Sequence, residues 1–479
     1  MSARYASWSA LAALAALVAA WPGAARANPH DTFGFGSRST ALGGAVAADV
    51  HDASANYYNP AGLARAEGLE LSIGYFRASH HLSTNGVDNE VDPVKGLVLG
   101  LVAPGELFGL KFAFGLGAHL PDDRISRVRA FRQEQPRWEL YDNRNQRLTL
   151  ATNLAVAVTD WLEIGGGLSF MSSTRGRLDI TGSANIFAPS QSQLRHEVDA
   201  DLTAVRYPIV GARVALTDRI ALAAVYRHEF QLGLDLTAHL QGDISGLTTA
   251  RYDLATSSVN NYLPRQVVLG GSWALSDAVR VNADFTWLEW SAYVAPVAKL
   301  DVGLDIPPPK GGWPASISPP ETPAPLKVVP LRLSDRLVPH LGVEWRALDR
   351  GWLRGLVRAG YEVQKSPIAA QTASVSYIDR DRHTGSLGLG LVLVHPGELM
   401  PGSIALDGHA QLSVLPEADT LKASPADLVG DFRAGGTIWN FGATLTATFD
   451  GPVVGGARPA ATSAPRVATA ATVQRGRAR

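Results

Sequence analysis

Hydrophobic and polar residues alternate one by one along many stretches of this chain, a period that is typical of β-strands with one apolar and one polar face. In residues 404–414, for example, aliphatic and small residues occupy one face, while Asp407, His409 and Ser413 lie on the other. About fourteen such stretches occur, each close to the ~9–11 residues that a tilted strand needs to cross a membrane. They begin near Leu69, Leu97, Phe108, Leu148, Leu162, Leu202, Ile220, Gln266, Val279, Val338, Leu353, Ser386, Ile404 and Thr437.

The connections between these stretches alternate in length. Short ones, such as residues 104–107, 159–160 and 276–277, take turns with long ones, such as residues 233–263 and 292–335. Bacterial outer-membrane barrels sort their connections in this way, with short periplasmic turns and long extracellular loops. The sequence therefore predicts an all-β fold, a 14-stranded antiparallel transmembrane β-barrel over residues 69–449.

Both ends of the chain lack this alternation. Residues 1–27 combine Arg4, an apolar run and the small-residue pattern Ala25-Arg26-Ala27, which predicts a secretory signal peptide. An uncleaved membrane anchor is the alternative, but the apolar run is short for one. At the other end, residues 450–479 are rich in alanine, proline and arginine and predict a disordered tail. Residues 304–330 are rich in proline and predict a stiff, irregular part of an extracellular loop.

Residues 28–68 precede the first predicted strand and are rich in small residues. An eight-stranded barrel is filled by its own side chains, whereas a fourteen-stranded barrel is wider and has room for a plug. We therefore expect residues 28–68 to form an N-terminal hatch inside the lumen.

Composition excludes several function classes. The formal net charge of −1 argues against nucleic acid as a partner, and the absence of cysteine excludes disulfides and thiolate metal sites. The chain has no nucleophile elbow, no phosphate-binding loop and no metal-ligand spacing. Asp407, His409 and Ser413 lie along one strand, and residues in a line do not converge as a catalytic triad must. We expect no enzyme, no cofactor and no metal site.

The hatch segment carries a resemblance to a known family. Gly43-Gly44 and, further along, Asn59-Pro60-Ala61 stand in a stretch that resembles the hatch of the FadL/TodX family. Residues 284–293 and 358–361 resemble its later blocks. The resemblance implies passive transport of hydrophobic small molecules across the outer membrane of a Gram-negative bacterium, with long-chain fatty acids as the first expectation and aromatic hydrocarbons as the alternative. It also implies a monomer whose partners are the ligand and membrane lipid; a general porin or an adhesin remains a further alternative.

The resemblance further implies a kink in the third strand that opens a lateral exit from the lumen into the membrane. Strand three is predicted to begin at Phe108, with Gly115 and Gly117 facing inward, and glycine inside a strand often marks a bulge or a close approach. These two glycines are therefore candidates for the kink. The alternative is that they make room for the hatch.

Several side chains are candidates for ligand contact. Lys111, Arg354 and Arg358 are predicted to point inward and could pair with a fatty-acid carboxylate, or with acidic side chains of the barrel itself. Phe33 and Phe35 in the hatch could reach the ligand, or could anchor the hatch against the wall. We also expect His80-His81 to lie in an extracellular loop as a solvated pair.

Overall fold

The structure is a computed structural model that describes residues 30–123, 135–142, 147–184, 190, 193–244, 248–293, 299–312, 333–368, 376–397 and 402–453. The predicted signal peptide, most of the predicted tail and most of the proline-rich loop lie outside the described residues. Among the described residues, no helix is long and apolar enough to span a membrane.

The described chain is built from β-strands preceded by short helical turns. The strands are β1 (Gly68–Thr84), β2 (Val87–Asp88), β3 (Val94–Leu107), β4 (Leu110–Pro121), β5 (Thr149–Thr159), β6 (Leu162–Ala184), β7 (Gln193–Ala215), β8 (Ile220–Arg227), β9 (Phe230–Ile244), β10 (Thr248–Leu263), β11 (Gln266–Ala274), β12 (Val279–Leu288), β13 (Lys299–Asp305), β14 (Arg336–Asp349), β15 (Leu353–Gln364), β16 (Arg382–Val394), β17 (Gly402–Thr420) and β18 (Phe432–Asp450). The helical turns are His30–Phe33, Ser37–Ala41, Ala55–Tyr58, Pro60–Arg65, Glu139–Asp142 and Trp290–Ala292.

Fourteen of these strands close into an antiparallel barrel, which confirms the predicted fold class. They are β1, β3 to β8, β11, β12 and β14 to β18. The barrel closes because β18 pairs with β1 along the whole length of β1, from Gly68 opposite Asp450 to Thr84 opposite Ala434. The other strands lie beyond the barrel at its long-loop end, where β9 forms a hairpin with β10 and runs parallel to β6.

The barrel exposes its apolar face and buries its polar one. On β16, Leu387 and Leu389 are 65% and 66% exposed, whereas their neighbours Thr384 and Ser386 are buried in the lumen. Burying leucine would stabilise a protein in water, so a continuous exposed band of leucine indicates contact with lipid. Exposed tryptophans border this band at the short-turn end of the barrel; they are Trp161, Trp273, Trp345 and Trp352. Aromatic girdles of this kind mark the membrane interface.

The strands run further at the long-loop end than the alternation predicts. The predicted loop 172–200 contains the end of β6 and the start of β7, and the predicted loop 233–263 contains most of β9 and β10. Alternation requires lipid on one face of the strand. Beyond the membrane that requirement ends, but backbone pairing between neighbouring strands continues, so the sequence pattern stops before the strand does.

The turn before the third barrel strand was also predicted in the wrong place. Residues 104–107 belong to β3, and the turn is formed by Phe108 and Gly109, whose φ angles are +54° and +77°. Two-residue hairpins favour positive φ at both central positions, which match the right-handed twist of the flanking strands. Strand three therefore begins at Leu110, and Phe108 is almost fully exposed in the turn.

The segment before β1 fills the lumen as a hatch. Leu42, Val46 and Leu63 have no exposed surface, and they belong to one apolar core together with inward-facing Val98 of β3 and Ala155 of β5. The core of this protein is thus the packing of the hatch against the inner wall, as a wide barrel with a plug requires.

Candidate functional site

The motif Asn59-Pro60-Ala61 is a helix cap inside the hatch. The Oδ1 of Asn59 accepts the backbone N–H of Ala61 at 3.1 Å, and its Nδ2 donates to the carbonyl of Ala47 at 2.7 Å. Pro60 begins the following helical turn, a position where the missing N–H costs nothing. The asparagine is completely buried, so its amide holds two parts of the hatch together.

The wall has glycine where the motif approaches it. A Cβ at Gly165 of β6 would overlap the carbonyl carbon of Pro60 and would lie 2.6 Å from the nitrogen of Ala61. A Cβ at Gly211 of β7 would overlap the side-chain oxygen of Asn59. Backbone and hatch can approach this closely only without a side chain on the wall.

A second part of the hatch is held by polar side chains of β12 and β14. Gly43 adopts a φ of +64°, a left-handed conformation that favours glycine, and its carbonyl lies 2.8 Å from Nδ1 of His340. Asp284 accepts the backbone N–H groups of Val46 and Ala47 at 2.9 and 2.8 Å through one carboxylate oxygen. The Gly43-Gly44 turn is therefore docked on this side of the barrel.

Ion pairs reinforce the same side. Within the hatch Arg38 pairs with Asp49 at 2.5 Å, and it reaches Glu344 of β14 at 3.2 Å. Arg280 of β12 binds the other oxygen of Asp49 at 2.7 Å. Burial would raise the pKa of Asp49, but the guanidiniums of Arg38 and Arg280 hold it well below its usual range. The carboxylate thus stays charged and links the hatch to the wall.

A cavity with about 120 Å³ of water-accessible space lies between the hatch and the wall. The hatch forms the floor of the cavity, with Gly43, Gly44 and Tyr58. One wall is apolar and is formed by Leu288, Trp290 and Val338. The remaining wall is polar and includes Arg227, Gln266, Asp284, Thr286, His340, Glu362, Arg382 and Gln411. Tyr141, from a long connection, lies at its long-loop end.

Several charged groups of the polar wall are bound within the protein. Arg227 donates to the carbonyls of Tyr57 and Tyr58 at 2.9 and 3.0 Å. Glu362 accepts from Arg382 at 2.9 Å and lies 3.2 Å from Nδ1 of His340. A buried charge is costly unless it has polar partners, and these contacts stabilise Arg227, Glu362 and Arg382 in their charged forms.

The three cations proposed from sequence as carboxylate partners do not meet in the structure. Arg358 is 2% exposed and binds Glu344 at 2.6 Å and Asp407 at 2.5 Å, so its guanidinium already pairs with acidic groups of the barrel. Arg354 is about half exposed and lies 4.0 Å from Asp349 near the short turn. Lys111 is exposed at the same end of β4. None of the three lines the cavity.

The two hatch phenylalanines are buried against the wall. The ring of Phe33 lies 6.2 Å from that of Phe76 on β1, and a Cβ at Gly117 would lie 3.1 Å from the ring of Phe35. The cavity described above is lined by neighbouring hatch residues but not by these two. Their role in ligand contact stays a prediction.

Strand β4 shows regular pairing at the glycines proposed for the kink. Its register with β3 and with β5 runs without a shift past Gly115 and Gly117. A Cβ at Gly115 would lie 2.6 Å from a methyl of Leu63, so both glycines face the hatch closely. In this state the two positions give the hatch room, and a kink with lateral exit stays a prediction.

His80 does not lie in a loop as a solvated side chain, because β1 continues to Thr84. Its side chain is buried, with Nδ1 2.9 Å from the carbonyl of Asp92, whereas His81 faces outward and is exposed. The polar residues of β17 have separate partners: Asp407 binds Arg358, and the hydroxyl of Ser413 lies 2.8 Å from that of Thr384. The described residues also contain no cluster of histidine and acidic groups suited to a metal ion.

Sequence reasoning missed the groups that dock the hatch, chiefly Asp284, His340 and Arg227. Each lies on the inward face of its strand, and the alternation of apolar and polar residues predicts which face a residue occupies. What the sequence does not show is the register that brings His340 to Gly43, almost three hundred residues away.

The sequence matches the family described as outer membrane protein transport protein (OMPP1/FadL/TodX) over residues 12–396. The fold is similar to that of a FadL homologue from Pseudomonas aeruginosa, with a TM-score of 0.52 and 16% identity over 87% of this chain and 98% of that one. It is also similar to the toluene transporter TodX of P. putida, with a TM-score of 0.51 and 16% identity over 87% of this chain and 99% of that one. The curated proteins contain no match to the sequence.

Proposed function

The chain belongs to the outer membrane protein transport family (OMPP1/FadL/TodX), and we propose that it carries hydrophobic small molecules passively across the membrane. Its fourteen-strand barrel and its family place it in the outer membrane of a Gram-negative bacterium. The substrate class and the route out of the lumen form part of the proposal.

The observation that carries this proposal is a lumen filled by the hatch, with a cavity that has one apolar wall. A water-filled porin needs an open lumen. Here the hatch fills the lumen, and its residues Leu42, Val46 and Leu63 are completely buried. The apolar wall continues into a cluster in which Tyr262 stacks on Trp290 at 5.3 Å and meets Tyr293 at 4.5 Å. Such a surface suits an apolar ligand arriving from the long-loop side.

The finer choice lies between long-chain fatty acids and aromatic hydrocarbons, the class that includes toluene, the substrate of the transporter TodX. A fatty acid would need a cation for its carboxylate. Arg358 is already paired with two acids, and Lys111 and Arg354 lie near the short turns. We retain both classes as substrates to be tested, with exit through the wall near β4 as the proposed route.

The test compares uptake of radiolabelled toluene and oleate in Gram-negative cells that lack their own transporter of this family, with and without this chain. We expect the chain to raise the initial uptake rate of at least one of them, and to show little steady current in planar bilayers. Unchanged uptake of both, or an open-channel current typical of a porin, would overturn the proposal.

A further inference from the structure

A continuous row of aromatic rings follows the boundary between the hatch and the wall. The rings, which we call the aromatic seam, are Tyr141, His80, Phe33, Phe76, His119 and His30. Consecutive ring centroids are 5.2 to 6.2 Å apart, the range of direct aromatic contact. All six side chains are buried.

Both sides of the boundary contribute to the seam. The hatch supplies His30 and Phe33, β1 supplies Phe76 and His80, and β4 supplies His119. Two imidazole nitrogens of the seam face neutral groups: Nε2 of His30 lies 3.0 Å from the hydroxyl of Thr149, and Nδ1 of His80 lies 2.9 Å from a backbone carbonyl. The rings therefore form an apolar, π-rich contact between two separable parts of the molecule.

The hatch is attached very differently on its two sides. Towards β12 and β14 it is held by the ion pairs of Arg38 and Asp49 and by the carboxylate of Asp284. Towards β1, β4 and β5 it is held by the seam and by neutral hydrogen bonds such as that from Asn153 to Asn56, with one carboxylate, Glu70, accepting a backbone N–H. Parting the hatch from the wall on the seam side breaks far fewer charged contacts.

The seam connects the cavity to the strand through which exit is proposed. Tyr141 and His30 line the cavity as well as the seam, so the two meet at both ends of the row. His119 lies on β4 two residues beyond Gly117, and its ring is 5.5 Å from that of His30. A ligand that leaves the cavity along the seam arrives at β4.

We propose that the aromatic seam is the path along which this protein passes its substrate, and that it selects flat aromatic rings over long alkyl chains. The inference rests on the proposed function and names its substrate class. In the resting state the rings touch one another, so a substrate must part them. An aromatic ring that enters replaces each ring contact it breaks with a new one on either face, because stacked and edge-on geometries are open to any flat π system.

An alkyl chain cannot make this exchange. It offers dispersion contacts but no quadrupole, so the edge-to-face attraction between the parted rings is lost without replacement. The seam should therefore present a higher barrier to a fatty acid than to an aromatic hydrocarbon. If the rings were only packing the hatch, their removal would affect both substrates equally.

The experiment measures the ratio of toluene uptake to oleate uptake, since a ratio does not depend on how much protein reaches the membrane. In Phe33→Leu and in Phe76→Leu we expect this ratio to fall about tenfold, because each change removes two ring contacts. Phe230→Leu is the matched control, since it removes a buried ring outside the seam and should leave the ratio unchanged.

A third position keeps the test decisive if the phenylalanine variants fail to reach the membrane. His119→Leu should lower the ratio, whereas His119→Phe, which keeps the ring, should preserve it. Equal losses of toluene and oleate uptake in the seam variants would overturn the inference, as would a wild-type protein that transports oleate but not toluene. A wild-type protein that transports neither would instead refute the proposed function itself.

Discussion

A single methyl group on the wall should displace the hatch motif Asn59-Pro60-Ala61 from its position against the barrel. In Gly165→Ala, the new Cβ would overlap the carbonyl carbon of Pro60 and lie 2.6 Å from the nitrogen of Ala61, where ordinary contact begins at 3.4 Å. The wall cannot yield easily, because Gly165 is paired with Ala155 on one side and Gly211 on the other. The hatch must therefore move by roughly 1 Å, and overpacking of this kind costs roughly 1–3 kcal/mol.

That cost corresponds to about a 5- to 150-fold shift away from the docked hatch. We expect Gly165→Ala to show frequent current openings in planar bilayers where the wild type is nearly silent. Gly271→Ala is the matched control, since its Cβ faces outward with the nearest heavy atom 3.7 Å away. Heat-modifiable migration on gels checks that both barrels fold. Silence in Gly165→Ala, with a folded barrel, would refute this account of hatch docking.

Three further outcomes follow from the same contacts. Arg358→Ala removes the ion pair of Asp407 and leaves Glu344 with Arg38 alone, so it should lower the free energy of unfolding in urea by about 3–5 kcal/mol. Arg354→Ala, at a half-exposed site, should change this free energy by less than about 0.5 kcal/mol, and similar losses in the two variants would contradict the pairing. Asn59→Ala removes a buried cap and should weaken hatch docking by about 1–2 kcal/mol, seen as faster proteolysis of the hatch in the folded barrel; an unchanged rate would argue against the cap. Burial and the neighbouring His119 hold the pKa of His30 well below its usual value. As pH falls below about 6.5, His30 takes up a proton more readily when the hatch is undocked than when it is docked. Docking therefore weakens by up to about 1.4 kcal/mol per pH unit, and current openings should become more frequent. His30→Phe should reduce this dependence of the openings on pH.

The barrel could be read from the sequence because lipid and lumen impose a period of two on every spanning strand. The predicted starts at Gln266, Val279 and Leu353 coincide with the first residues of β11, β12 and β15. The hatch could be placed because its residues lack that period and precede the first strand. These features depend only on short-range pattern.

The remainder depends on register between distant segments, which no local pattern contains. Pro60 lies against Gly165, and Gly43 lies against His340, only because the whole barrel closes around the hatch. The alternation understates strand length beyond the membrane for a related reason: backbone pairing between β6 and β7 continues after the pattern ends. The inward glycines were recognised as unusual, but the side chains they accommodate could be identified only from the structure.

The lumen is rich in charge, and this is compatible with the passage of apolar molecules because of how the charges are arranged. Carboxylates within the protein pair with Arg358, Arg38 and Arg280. An entering apolar ligand therefore does not have to displace water from these charges. The same pairs make one side of the hatch expensive to move, since separating a buried pair exposes both members to a poorly solvating interior. Motion that admits an apolar ligand must therefore occur where the contacts are themselves apolar. In this protein that condition selects the side of the hatch that faces β1 and β4.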